Sequence, residues 1–203
     1  MSIFKDIIYT ENRIMEHIIN WLKENLSDER YRHSLAVAKT AEELAKEYNL
    51  DAEKVKLAGL LHDCAKEYPH EKMLEIIKNN NLDVGDDELK SKKVLHAPVS
   101  AYVAKTLFNV NDKEILDAIR FHTIGKIGMS DFEKIIFLAD KIEPETRIEP
   151  YFEELRQELK KTKSLDKTLL LCSKMTIKSL LDRDLTISFQ SVDLYNYLLK
   201  NCK

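Results

Sequence analysis

Apolar residues in the first part of the chain recur every three to four positions, a spacing that gathers them on one face of a helix. Between residues 13 and 26, Ile14, Ile18, Trp21, Leu22 and Leu26 follow this period, and Ser27 or Asp28 offers a cap for a second helix reaching about Tyr48. That second helix sets His33 on one stripe with Val37, Ala41, Leu44 and Tyr48, so its imidazole points where the apolar side chains point. A third helix is predicted after Asp51 as N-cap, with Val55, Ala58, Gly59 and His62 at matching spacing and Gly59 leaving room for a neighbouring backbone. Short helices are expected at about 70 to 79 and 87 to 94, on either side of the turn-like NNNLDVGDD. Pro98 suits the first turn of a helix reaching Phe108, which would leave His96 just outside its start.

Further on, Asn111 and Glu114 have capping-box spacing ahead of Ile115, Ala118, Ile119 and His122, which share a face. The loop TIGKIGM carries two of the four glycines; Ser130 and Glu133 then form another capping box before a helix on which Phe132, Ile136 and Asp140 align. Three more helices are predicted at about 151 to 162, 165 to 182 and 190 to 200, interrupted near RDLTISFQS. Without an internal repeat or linker, the expectation is an all-α protein of nine or ten helices. Its 203 residues form one domain, with a core at about 28 to 142.

Composition agrees. With 44% hydrophobic residues, 33% charged residues, four glycines and four prolines, the chain is poor in the turns that a β architecture needs. A fold of this size buries about 70% of its unfolded surface and needs no covalent staples. Cys64, Cys172 and Cys202 are odd in number and far apart, fitting neither a disulfide framework nor a paired-thiol metal site, and Cys64 reads as a small packed group. The net charge of -3 provides no broad cationic field for a nucleic-acid polymer. Lys5, Asp6, Glu11, Arg13 and Glu16 break up the amino-terminal apolar residues, so neither export nor a membrane span is expected and the protein is placed in the cytoplasm.

The inward polar residues change the picture most. One histidine on an apolar face is ordinarily a hydrogen-bonded core residue. Here His33, His62 and His122 lie on three helices, joined by Asp63 and Asp140, and an unpaired buried carboxylate costs several kcal/mol. A shared cation removes that cost. Adjacent helical residues diverge by about 100° with a rise of about 1.5 Å, so His62 and Asp63 can approach one ion from two sides. Imidazoles and carboxylates without a thiolate suit Fe, Mn, Co or Mg, or catalytic Zn with open positions. Such an ion lowers the pKa of water and neutralises a phosphoryl oxygen, while Lys66, Lys126 and Arg147 could balance the remaining phosphate charge and amides opening the Pro98 helix could donate beside His96.

The segments RYRHSLAVAKTAEELA, LLHDCAKE and FLADKIEP resemble the H...HD...D signature of the HD superfamily. LHAPVSAYVA, IRFHTIGKIGMS and FLADKIEPETR are similar to motifs of its YqeK branch, the symmetrical diadenosine tetraphosphate hydrolases, and the similarity spans about residues 13 to 200. The resemblance implies an iron site formed by His33, His62, Asp63 and Asp140. It also implies a second metal or phosphate contacts at His96 and His122. Nucleotide contacts are implied at Arg30, Lys66, Glu67, Thr123 and Arg147, with helices at about 150 to 200 completing the pocket. Asp63 and Lys66 are the candidate catalytic residues, and Lys126 is a further nucleotide-binding candidate. Where relatives carry His-Pro followed by an Ala-Arg-Asn run, this chain has TISFQSVDLYNYLL, with Ser188-Phe189 and Leu194-Tyr195 at those places.

The expected reaction is cleavage of a dinucleoside tetraphosphate to two ADP, with one or two ions bound. A nucleotide is the substrate, ADP the product, and a homodimer is compatible with the sequence. Two alternatives stay open: a metal-dependent phosphohydrolase acting on a nucleoside monophosphate, a deoxynucleoside triphosphate or a cyclic dinucleotide, and a non-catalytic module that binds metal and nucleotide.

Overall fold

The structure, a computed structural model, describes residues 2–202. Eleven helices and no strand occur among the described residues. They are α1 (Ser2–Asn25), α2 (Asp28–Glu47), α3 (Ala52–Leu61), α4 (His70–Asn79), α5 (Asp86–Leu89), α6 (Lys92–Leu107), α7 (Lys113–Phe121), α8 (Asp131–Ile142), α9 (Pro150–Thr162), α10 (Leu165–Leu181) and α11 (Phe189–Asn201). The all-α reading holds, with eleven helices among the described residues where nine or ten were expected.

Several boundaries follow from capping. Asp51 accepts from the Lys54 amide at 3.1 Å and starts α3. Ser130 and Glu133 form the expected reciprocal box, the Glu133 amide donating to Ser130 Oγ at 3.2 Å and the Ser130 amide to Glu133 Oε2 at 2.8 Å. Two expectations are corrected. Asp112, rather than Asn111, caps α7 by accepting from the Glu114 amide at 2.9 Å, and Asn111 turns its amide to the Asn109 carbonyl. The sixth helix begins at Lys92, so Pro98 lies inside it and His96 is a helical residue. Pro98 gives up one ladder hydrogen bond. Leu95, Val99 and Val103, spaced four apart and buried, offset that loss by holding the segment against the core. The amides proposed to donate beside His96 are consequently within the helix ladder.

Helices α2, α3, α6, α7 and α8 pack around one centre, where Val37, Ala41, Leu61, Ile119, Phe132 and Ile136 are among the buried side chains. Helix α10 lies against α8, α9 and α11. The α10–α11 connection is tied back onto the core: the Phe189 amide donates to Asp87 Oδ2 at 3.0 Å and Ser191 Oγ to the Ile124 carbonyl at 3.2 Å. Arg156 of α9 ties the chain after α8, donating to the Ile142 carbonyl at 2.7 Å, to the Glu143 carbonyl at 3.0 Å and to the Arg147 carbonyl.

Gly59 permits the close contact of α3 with α2, since a Cβ there would lie 2.8 Å from Ala38 Cα and 3.1 Å from Ala38 N. Helix propensity alone would make Gly59→Ala favourable by about 1 kcal/mol. The backbone contact reverses the sign, and the substitution is expected to cost about 1–3 kcal/mol as two helices are forced apart. Urea denaturation measures this; a stability equal to or above that of the parent would contradict the close approach.

Candidate metal centre

Six of the predicted polar side chains meet in the centre of the helix assembly. His33, His62, Asp63, His96, His122 and Asp140 are each no more than 5% exposed. Helix α2 supplies His33, the end of α3 and the turn after it supply His62 and Asp63, α6 supplies His96, the end of α7 supplies His122 and α8 supplies Asp140. His33 and His62 have ring centroids 5.3 Å apart, and His62 and His122 are 4.9 Å apart. Their donor atoms fall into three overlapping sets, each within 4.8 Å: His33, His62 and Asp63; His62, His122 and Asp140; Asp63, His96 and His122. His122 therefore belongs as much with His62 and Asp140 as with His96, closer to the expected principal ligands than its assignment to a second site suggests.

The hydrogen bonds determine which ring nitrogens face inward. The Nδ1 atoms of His62 and His122 donate to the carbonyls of Gly59 and Ile119, each at 2.7 Å. Their Nε2 atoms consequently present lone pairs, and His62 Nε2 is buried without a hydrogen-bond partner. His33 Nδ1 donates to Glu143 Oε1 at 3.1 Å, leaving Nε2 facing Asp140 Oδ1 at 2.9 Å. A lone pair and a carboxylate at that distance need a proton or a cation between them. Around Asp63 Oδ1, His96 Nε2 lies at 2.9 Å and His122 Nε2 at 3.3 Å, with the two nitrogens 3.0 Å apart. Inward lone pairs, an orphaned buried nitrogen and two carboxylates without thiolate are the donor set of a divalent cation, so the residues fit such an ion.

Electrostatics points the same way. Burial pushes the His62 pKa down to about 3, and it lowers those of His96 and His122, keeping the three rings neutral and able to ligate. Burial also opposes ionisation of Asp63 and Asp140, but neighbouring His62, His96 and Lys66 for the first, and Lys141 and His33 for the second, outweigh it and hold both carboxyls well below the usual range. Burial opposes the charged form of His33 too; hydrogen bonds to Asp140 and Glu143 override it and raise its pKa.

The remaining predicted residues divide. Lys66 reaches the cluster, its Nζ lying 2.8 Å from His96 Nε2 and 3.3 Å from Asp63 Oδ1, and burial lowers its pKa. Arg147 also reaches it, Nη2 donating to Asp140 Oδ1 at 2.9 Å. Arg30 and Glu67 pair with each other at 3.2 Å and are half exposed. Thr123, next to His122, has a buried hydroxyl without a partner. Lys126 is not brought to the cluster: its ammonium pairs with Glu133 at 2.7 Å and Asp117 at 3.3 Å and lies 4.4 Å from the Phe121 ring centroid. Cys64 is buried, donates to the Ser100 carbonyl at 3.6 Å and has its thiol pushed up to about 12 by burial. Ser188 caps α11 by position without a side-chain bond, and Phe189 is 77% exposed.

Sequence reasoning missed three contributors. Glu143 is fully buried; it accepts from His33 and from the Thr146 hydroxyl and amide, while Lys141 Nζ lies 2.5 Å from Asp140 Oδ2. Ser100 Oγ accepts from the Ala65 amide at 3.1 Å, fixing the turn that carries Asp63 from a position one helical turn beyond His96. All three fell within quoted motifs, and spacing from Asp140 was the available signal for Glu143.

Comparisons with known proteins agree with this geometry. A family model described as the HD domain matches residues 30–145. The symmetrical bis(5'-nucleosyl)-tetraphosphatase of Staphylococcus aureus is 42% identical over 86% of this chain and 89% of its own length. The Bacillus subtilis protein of the same name is 35% identical over 91% and 97%. The crystal structure of a predicted HD superfamily hydrolase involved in NAD metabolism from Clostridium acetobutylicum superposes with a TM-score of 0.87 at 39% identity, covering 92% of this chain and 97% of that one.

Removal of a partner that orients a ligating imidazole commonly lowers metal affinity by about 10- to 100-fold. Glu143→Ala is expected to weaken manganese binding within that range in calorimetric titration, with Glu143→Gln, which still accepts from His33, recovering part of it. Equal affinity in Glu143→Ala and the parent would show that His33 is held by other contacts.

Proposed function

The chain belongs to the HD-domain family, alongside the symmetrical bis(5'-nucleosyl)-tetraphosphatases, and from that premise we propose that it is a metal-dependent phosphohydrolase converting diadenosine tetraphosphate to two ADP. The observation carrying this reading is the buried convergence of His33, His62, Asp63 and Asp140, with inward-facing lone pairs and the cations Lys66 and Arg147 at its two ends. We assign those four residues as ligands. Two carboxylates and imidazoles without thiolate suit iron, manganese, cobalt, magnesium or catalytic zinc, and the family resemblance is what points to iron among them. The bound ion would supply Lewis acidity, polarising a phosphoryl oxygen and lowering the pKa of water.

The chain's own groups account for the rest. Oxygen of one water forms a bond to a central phosphorus, the bridge to the other central phosphorus breaks, and the bridging oxygen leaves with the second ADP. Lys66 neutralises charge on the attacked phosphoryl group, and its lowered pKa makes its proton more readily shared with a developing oxyanion. Neutral His122 directs a lone pair inward, so it can ligate a cation or accept a proton from water but cannot donate to phosphate. That favours a ligand or base role over a phosphate contact. Helices α9 to α11 complete the pocket, and we read the whole chain as one domain. Among the described residues no helix is long and apolar enough to cross a membrane, and the nucleotide chemistry supports a cytoplasmic setting.

The test is elemental analysis of protein purified without added metal, followed by turnover of diadenosine tetraphosphate on the same sample. ADP as sole nucleotide product is expected. AMP with ATP, or no turnover at any metal loading, would overturn the proposal. Asp63→Ala removes a ligand directly, so its turnover should fall by more than about 100-fold, the upper effect of an indirect partner, together with bound metal. Full activity in that variant would remove Asp63 from the site.

A further inference from the structure

Helix α8 carries Asp140 near its carboxyl end and runs straight into the turn that bears Glu143 and Arg147, so the exit from this helix shapes one side of the metal centre. The Glu143 amide is the last to donate back into the helix, to the Ala139 carbonyl at 3.0 Å, and at Glu143 the backbone leaves with φ -58° and ψ 136°. The last four carbonyls of an α-helix have no donor within it. Here arginines meet three of them. Arg147 Nε donates to the Asp140 carbonyl at 2.8 Å, while Arg156 donates to the Ile142 carbonyl at 2.7 Å and to the Glu143 carbonyl at 3.0 Å. Arg156 lies on α9, outside the segment 30–145 that the HD-domain model matches. The HD segment of this chain therefore takes part of the cap of its ligand-bearing helix from beyond itself.

The turn after α8 is tied to itself around the Glu143 carboxylate, which accepts from the Glu145 amide at 2.8 Å, from the Thr146 amide at 3.0 Å and from the Thr146 hydroxyl. What holds that turn against the body of the fold is Arg156. Besides the two carbonyls at the helix end, its Nη2 donates to the Arg147 carbonyl, and its Nη1 is anchored by Glu153 Oε2 at 3.0 Å. One planar fork thus fixes both ends of the turn, which a single ammonium cannot do. We propose that Arg156 is a positioning residue for the metal centre: it sets the turn from which Glu143 orients His33 and Arg147 holds Asp140. Its influence on the two ligands passes through Glu143 and Arg147. This inference rests on the reading of His33 and Asp140 as ligands, and adds a control on both from a helix beyond the HD segment.

Calorimetric titration of the folded protein with manganese tests it in Arg156→Ala and Arg156→Lys, each alone and combined with Glu143→Ala. Arg156→Ala should weaken binding by about tenfold, the lower end of the loss that follows removal of a partner orienting a ligating imidazole. Arg156→Lys keeps the alkyl stem and the positive charge at the end of α8 without the fork, so its affinity should fall between those of Arg156→Ala and the parent. A role confined to global stability would lower the unfolding midpoint and leave the affinity of the folded protein unchanged. Because Arg156 acts in part through Glu143, the double variants should lose less than the product of the two separate losses. Losses that multiply in full, as for independent residues, overturn the proposal. So does parental affinity in Arg156→Ala, or in Arg156→Lys if the Ala variant does not fold. A parent protein that takes up no manganese overturns the metal-site reading instead.

Discussion

Two carboxylates and four imidazoles share the buried centre of this helix assembly, and the cost of burying them governs much else in the structure. Asp63 and Asp140 are 2% and 5% exposed, and both remain in the ionised form. Ionised groups at that depth require compensating positive charge. Lys66, Lys141 and Arg147 supply part of it through direct contacts, and the inward lone pairs of His62 and His122 leave a place that a bound cation would satisfy.

The surrounding architecture holds these groups in place. Carbonyls of Gly59 and Ile119 orient two rings from one turn earlier in their own helices, Glu143 orients a third across the fold, and Ser100 braces the turn bearing Asp63. Arg156 pins the chain that presents Glu143 and Arg147. The ligands thus sit on helices and braced turns, whose fixed geometry favours a preorganised site. At its Asp140 end, the centre meets a cationic cleft lined in part by α6, α9 and α10.

Much of this was legible along the chain because the period of a helix and the identity of inward residues are local facts. His33, His62, His122 and Asp140 were placed on apolar stripes by spacing alone, and the Ser130–Glu133 box marked the start of α8. Pro98 misled because its local preference for a first turn lost to burial of Leu95, Ala97 and Val99. Lys126 was placed beside the cluster by its sequence position, which does not reveal that Asp117 and Glu133 hold its ammonium. Glu143 and Ser100 act through partners more than thirty residues away in sequence, so that local spacing could mark Glu143 near Asp140 without revealing that it holds His33.

The central claim is that the buried cluster is completed by a divalent cation, and binding to the folded state alone must then raise stability by mass action, by about 2.7 kcal/mol at a free concentration one hundred times the dissociation constant. Thermal unfolding of chelator-treated protein titrated with manganese measures this directly. The account predicts a midpoint that climbs with metal in the parent and fails to climb in Asp63→Ala. A metal-free parent whose midpoint is indifferent to added manganese, iron and cobalt would contradict it.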